Sequence, residues 1–238
     1  MPLPLALLFI FLFATFTQSV SGFGGALIAM PLLTAGVLPV EIAAPLFAIV
    51  ATASRPFMLL RYRSAFSFSN IWRLLVGAII AIPIGVELLR VVDEGIIRTV
   101  LAFVVIGYVL LNLALEHLPK LEHPLWGWFL GFIGGLLAGA YNIGGPPAVM
   151  YATGRQWQAD EFRANLQTYS LINNIVVVMA HARNGNITPD VLQLFVFVIP
   201  TAFLGLILGF ALNEYINQDV FRKLVLGLLF VSGVRLLL

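Results

Sequence analysis

Two short stretches of this 238-residue sequence combine glycine, proline and uncharged hydrogen-bonding residues in a pattern that could hold an anion. The first reads Gln18-Ser19-Val20-Ser21-Gly22-Phe23-Gly24-Gly25, with Pro31 after it. The second reads Ala140-Tyr141-Asn142-Ile143-Gly144-Gly145-Pro146-Pro147. Glycine lets the backbone turn freely, and proline is tolerated in the first turn of a helix, where its missing donor is not needed. Each stretch therefore predicts one helix ending and another beginning. A new helix start presents free N–H groups and the positive end of the helix dipole, and both attract an anion. The competing reading is a packed kink that binds nothing, since glycine and proline are frequent in membrane helices.

Further polar residues could complete such a site. Asn165, Tyr169 and Asn173 recur at i, i+4 and i+8 and share one helix face, with Gln167, Ser170 and Asn174 on an adjoining one. In a membrane so broad a polar surface must face protein or water, either as a lining of neutral donors or as interhelical glue. The corresponding helix of the first half offers Thr52, Ser54 and Arg55. Arg55 could bind an oxyanion with its planar fork of donors. It lies only five residues before Leu60, however, so the sequence favours a side chain that snorkels to the interface. The candidate substrate-binding residues are Gln18, Ser21, Gly24, Gly25, Asn142, Gly144, Gly145, Pro146, Asn165 and Asn173, with Arg55 as a further candidate. Asn142 is the sharpest, because it directly precedes the second break and its amide can donate into the gap. Neutral donors attract an anion without trapping it, as a permease requires.

Other chemistries find little support. Glu87 has Arg90 one turn on as a partner, and Glu41 and Glu161 sit where acids favour a helix N-terminus. His117, His123 and His181 fall in or beside predicted loops, and there is no cysteine. No nucleotide loop, metal-ligand spacing or His-plus-acid cluster occurs, so no catalytic residue, cofactor or metal is expected.

The elements that must position these residues are transmembrane helices. Apolar residues make up 61% of the chain and charged ones only 10%, against about 25% charged in an ordinary soluble domain. So few charges could not cover a soluble surface, and a bilayer is the alternative solvent. The net charge of +2 is too small to suggest nucleic acid. Apolar runs at 5–20, 42–60, 72–89, 96–115, 125–141, 162–181, 191–212 and 220–238 are long enough to predict spans, while 25–38 and 144–153 are too short or broken. No Lys or Arg precedes Arg55, so 5–20 reads as a retained helix rather than a cleaved signal. The expectation is an all-α integral membrane protein, with residues 1–238 as one transmembrane domain.

The chain also resembles itself. Gly24-Gly25 matches Gly144-Gly145, Met30 matches Met150 and Glu41 matches Glu161, all 120 residues apart. Later the offset is 124, matching Gly85 with Gly209 and Ile97-Arg98 with Phe221-Arg222. This predicts two repeated halves, about 5–115 and 125–238, each with a broken segment at the same place, which is the pattern of a transporter binding site. If the short segments re-enter, the repeats are parallel and Lys plus Arg divide seven against six across the membrane. If they cross, the repeats are inverted and the division is nine against four. The second has a real charge bias, so inverted repeats with both termini outside, and Ser64 and Lys120 on the cytoplasmic side, are preferred.

The stretches SGFGGALIAMPLL and YNIGGPPAVMYATG, the two similar halves and the chain length together resemble the TauE/SafE sulfite-exporter family of bacterial permeases. Ala26 stands where many members carry a third glycine. The resemblance implies a small multi-pass permease of the bacterial inner membrane moving sulfite, organosulfonates or related small anions. The expected function is secondary transport of a small anion bound between the two broken segments, with a channel-like facilitator as the runner-up. An intramembrane enzyme would need an activated nucleophile, and a mere scaffold would have no use for broken helices. Membrane lipid is the other expected partner. Proton coupling and homo-oligomerisation are left open.

Overall fold

A computed structural model describes residues 3–62, 66–114 and 120–237. Ten helices follow one another: α1 (Leu3–Ser21), α2 (Gly25–Thr34), α3 (Val40–Tyr62), α4 (Phe68–Val91), α5 (Glu94–Ala114), α6 (Leu125–Tyr141), α7 (Gly145–Gly154), α8 (Ala159–Arg183), α9 (Pro189–Leu212) and α10 (Gln218–Leu237). Each expected apolar run becomes a helix. Five of them, α1, α3, α4, α5 and α9, are long and apolar enough to cross a membrane. The two segments expected to be short, α2 and α7, have ten residues each, about 15 Å at the helical rise. The orientation residues Arg63 and Ser64, and His117, lie outside the described residues.

Local signals fix the helix ends. Thr188 caps α9, its hydroxyl accepting from the Val191 N–H at 3.3 Å, and Pro189 occupies the first turn. Glu41 and Asp160 with Glu161 stand in the first turns of α3 and α8, as their sequence positions suggested. Glu161 also accepts from the Asn70 amide of α4. Glu87 pairs with Arg90 at 3.7 Å and accepts from Asn184 at 3.1 Å. His181 stands beside the loop after α8 as expected, fully buried in the last turn of that helix, where its Nδ1 meets the Asn186 amide at 3.0 Å.

The closest helix packing links elements far apart in the sequence. α4 packs on α6, α1 on α9, α3 on α8 and α5 on α10. Glycines make the first two contacts tight. A Cβ at Gly131, Gly135 or Gly139 of α6 would strike the backbone of Leu74, Ala78 or Ile82 on α4. A Cβ at Gly205 or Gly209 of α9 would strike Leu12 and Thr15, or Phe16 and Ser19, on α1. In both pairs the contacts advance in step along the two helices, so α4 runs parallel to α6 and α1 parallel to α9. The largest buried cluster gathers Phe11, Ile28, Met30, Leu33, Leu46 and Phe47 from α1, α2 and α3.

Candidate anion site

The two breaks are built alike but capped differently. After α1 the Gly22 N–H donates to the Gln18 carbonyl at 2.9 Å, and Gly22 and Gly24 adopt φ of 80° and 93°. Glycine occupies this left-handed region without the Cβ penalty. The Ser21 hydroxyl lies 2.7 Å from the Thr17 carbonyl and 2.6 Å from that of Phe23. α2 then starts hard against α1, for a Cβ on Gly25 would collide with Gln18 Oε1 and come within 3.2 Å of the Ala14 carbonyl. After α6 the left-handed residue is Asn142, with φ 58°, and its N–H donates to the Ala138 carbonyl at 2.8 Å. Asparagine is one of the few residues with a side chain that tolerates this conformation.

The chain reverses at the second break. Gly144 lies against Gly134 and Ala138, and Tyr151 stands beside Gly127. The Leu121 N–H donates to the Gly154 carbonyl at 2.8 Å, and Arg155 donates to the Glu122 carbonyl at 3.0 Å. α7 therefore runs back along α6 and finishes where α6 began. Each break is also tied to the third helix of the other half of the chain. Gln167 on α8 donates its amide to the Gly22 carbonyl, and Asn142 donates its amide to the Ala44 carbonyl on α3 at 2.8 Å.

Both breaks open on one cavity. Phe23, Gly24, Gly25, Ala26 and Leu27 line it from the first, and Asn142, Ile143, Gly144, Gly145 and Pro146 from the second. Ala138 of α6, Arg55 of α3, and Tyr169, Ser170, Asn173 and Asn174 of α8 complete the wall. Centres of water-sized groups have about 30 Å³ here, room for a few waters or an ion of similar bulk. Arg55 is only 7% exposed and its Nε has no hydrogen-bond partner. Asn142 Oδ1 and Asn174 Nδ2 likewise have no hydrogen-bond partner, and the Tyr169 hydroxyl lies beside the Asn173 amide on the same helix. No described lining residue is acidic, so Arg55 is the one formal charge on the described wall.

Of the residues singled out from the sequence, Gly24, Gly25, Asn142, Gly144, Gly145, Pro146, Asn173 and Arg55 meet at this cavity. The snorkelling expected of Arg55 does not occur. Its side chain turns inward, where the glycine breaks leave space and α8 presents amides. Three others are engaged elsewhere. Gln18 is buried with its amide 3.7 Å from the Met58 sulfur, Ser21 turns to its own backbone, and Asn165 accepts from the Ser67 N–H at 2.9 Å. Asn142 does not send its amide into the gap as expected, because the Nδ2 atom is held by Ala44, and it offers the cavity an acceptor instead. Tyr169, Ser170 and Asn174 belong to the wall although only their helical spacing flagged them.

Comparison with known proteins identifies the family. Residues 7–236 match the family model described as sulfite exporter TauE/SafE. The chain is also 24% identical, over 229 residues, to a protein of Cupriavidus necator named probable sulfite/organosulfonate exporter TauE. That similarity covers 94% of this chain and 90% of the relative. No solved structure matches. The family match over nearly the whole length of a chain with ten helices among its described residues establishes that it is a multi-pass membrane protein belonging to the TauE/SafE sulfite exporter family, a family of transporters rather than enzymes.

Proposed function

We propose that the chain is a secondary transporter of the bacterial inner membrane that exports sulfite or a small organosulfonate, bound in the cavity between the two breaks. The observation that carries this reading is the convergence of both helix breaks, buried Arg55 and unpartnered amides on one small cavity without an acid among its described lining residues. The guanidinium and the helix-start N–H groups favour an anion, and no carboxylate among the described lining residues favours a free cation. Residues 1–238 form one membrane domain made of two inverted repeats. Supporting this, α2 and α7 begin 120 residues apart with equal length, and the pairing of α1 with α9 has its counterpart in that of α6 with α4. The reversal at the second break and the parallel run of α4 and α6 agree with five passes in each half. An odd number of passes inverts the second half relative to the first.

Purified protein in proteoliposomes should carry radiolabelled sulfite faster than empty vesicles, and an imposed pH gradient should drive accumulation above equilibrium. Absence of flux for both sulfite and methanesulfonate in correctly folded protein would overturn the reading. Flux that only equilibrates, under every imposed gradient, would assign a facilitator instead.

A further inference from the structure

The two helix starts at the cavity differ in what they can donate. The first three residues of α2 are Gly25, Ala26 and Leu27, and all three line the cavity. Their N–H groups lie beyond the reach of the intrahelical ladder, and none has an acceptor among the described residues. In α7 the same three positions are Gly145, Pro146 and Pro147. Proline has no N–H, so two of those three donors are missing. The cavity thus has a donor-rich start and a donor-poor start facing the same space.

Arg55 lines the same cavity as the donor-rich start. Gln18 contacts Met58, one turn beyond Arg55 on α3, and its Oε1 occupies the place a Cβ of Gly25 would take. One side chain therefore touches both the start of α2 and the stretch of α3 that carries Arg55. Arg55 is more than nine-tenths buried, lines the cavity and has an unpartnered Nε. That is an observation independent of the helix start. Asn173 and Asn174 of α8 add uncharged amides to the same wall.

We propose that the site grips its anion from one side, through Arg55 and the N–H groups of Gly25, Ala26 and Leu27, while the prolines of α7 form a donor-poor wall, so that it accepts small oxyanions and simple sulfonates and rejects zwitterionic aminosulfonates. The proposal rests on the anion-export reading and assigns it a polarity and a selectivity. A sulfonate head satisfies Arg55 and the free N–H groups together, as charge-assisted bonds. An ammonium on the same molecule would enter a cavity whose one described formal charge is already positive. With no carboxylate among the described lining residues, burying it against neutral acceptors alone would be costly.

α7 itself supplies the test, since it shows that proline fits the second and third positions of such a helix. Ala26→Pro deletes one N–H at the position equivalent to Pro146. Binding of sodium sulfite and of methanesulfonate to detergent-purified protein would be followed by calorimetry, with thermal unfolding as the folding control. Arg55→Gln should weaken both anions about tenfold or more, with partial recovery in Arg55→Lys. Ala26→Pro should weaken them severalfold. In the parent, 2-aminoethanesulfonate should bind at least about tenfold more weakly than methanesulfonate. Folded Arg55→Gln and Ala26→Pro proteins that bind like a transport-competent parent would overturn the one-sided grip, as would equal binding of the aminosulfonate. A parent that carries neither anion would instead remove the export reading beneath it.

Discussion

Asn142 illustrates how a residue can sit at the right place for a different reason from the one its sequence position suggests. It lines the cavity, but its amide N–H is committed to Ala44, and its left-handed backbone ends α6. Asn142→Gly keeps that backbone accessible and removes the tie to α3 together with the acceptor on the cavity wall. It should lower sulfite transport severalfold in proteoliposomes while costing about 1 kcal/mol of stability. Asn142→Leu adds left-handed strain of roughly 1–2 kcal/mol and should lower the melting temperature further. Parent-like transport by Asn142→Gly would show that the tie is dispensable. The glycine and proline content made both breaks legible in the sequence, because those residues act on the local backbone. The inward turn of Arg55 was not legible. A cation five residues from the end of an apolar run can reach the interface or the interior, and only the neighbours on α2 and α8 decide between them. Gln18, Ser21 and Asn165 misled for a related reason: their partners, Met58, the Phe23 carbonyl and Ser67, depend on how the chain folds back.

At the scale of elements, the contact between α4 and α6 rests on residues too small to keep the helices apart. Gly135→Leu would drive a side chain into the Ala78 backbone. Overpacking of this kind costs about 1–3 kcal/mol or more. Gly107→Ala in α5 meets nothing within 4 Å and should be neutral or stabilising by roughly 0.5–1 kcal/mol, as alanine is the better helix former. Melting curves of the two variants in the same detergent check the contrast, and equal curves would refute the role given to the glycine stripe. The helices themselves were evident from apolar runs, to within a few residues at each end. Their partners were not, because a helix apolar on most sides carries no stripe that points to its neighbour.

For the whole molecule, α7 folds back to the start of α6, so in the proposed inverted arrangement Lys120 and Arg155 share one membrane face and Arg183 lies at the other. In this cysteine-free chain, Lys120→Cys and Arg155→Cys should react only with thiol reagents that reach the cytoplasm. Arg183→Cys and a C-terminal cysteine should react from outside. Labelling of Lys120→Cys and Arg183→Cys from the same side would exclude the inverted arrangement. The charge distribution supplied half of this picture, since nine basic residues gather on one side only if the short segments cross. The exchange of helices between the halves has no signature in composition or spacing.

That exchange also sets a timetable for biogenesis. The face of α1 formed by Leu12, Thr15, Phe16 and Ser19 has its close-fitting partner in Gly205 and Gly209 of α9. The partner is translated about 190 residues later, a delay of roughly 10–40 s at ordinary ribosome speeds. During that interval the first helix must rest in lipid or against the insertion machinery with its polar Thr15 and Ser19 turned to their own carbonyls, as the hydrogen bonds to Phe11 and Phe16 allow. The nascent chain thus carries a vacant interface through most of its synthesis, and the molecule becomes a single unit only when its ninth helix arrives.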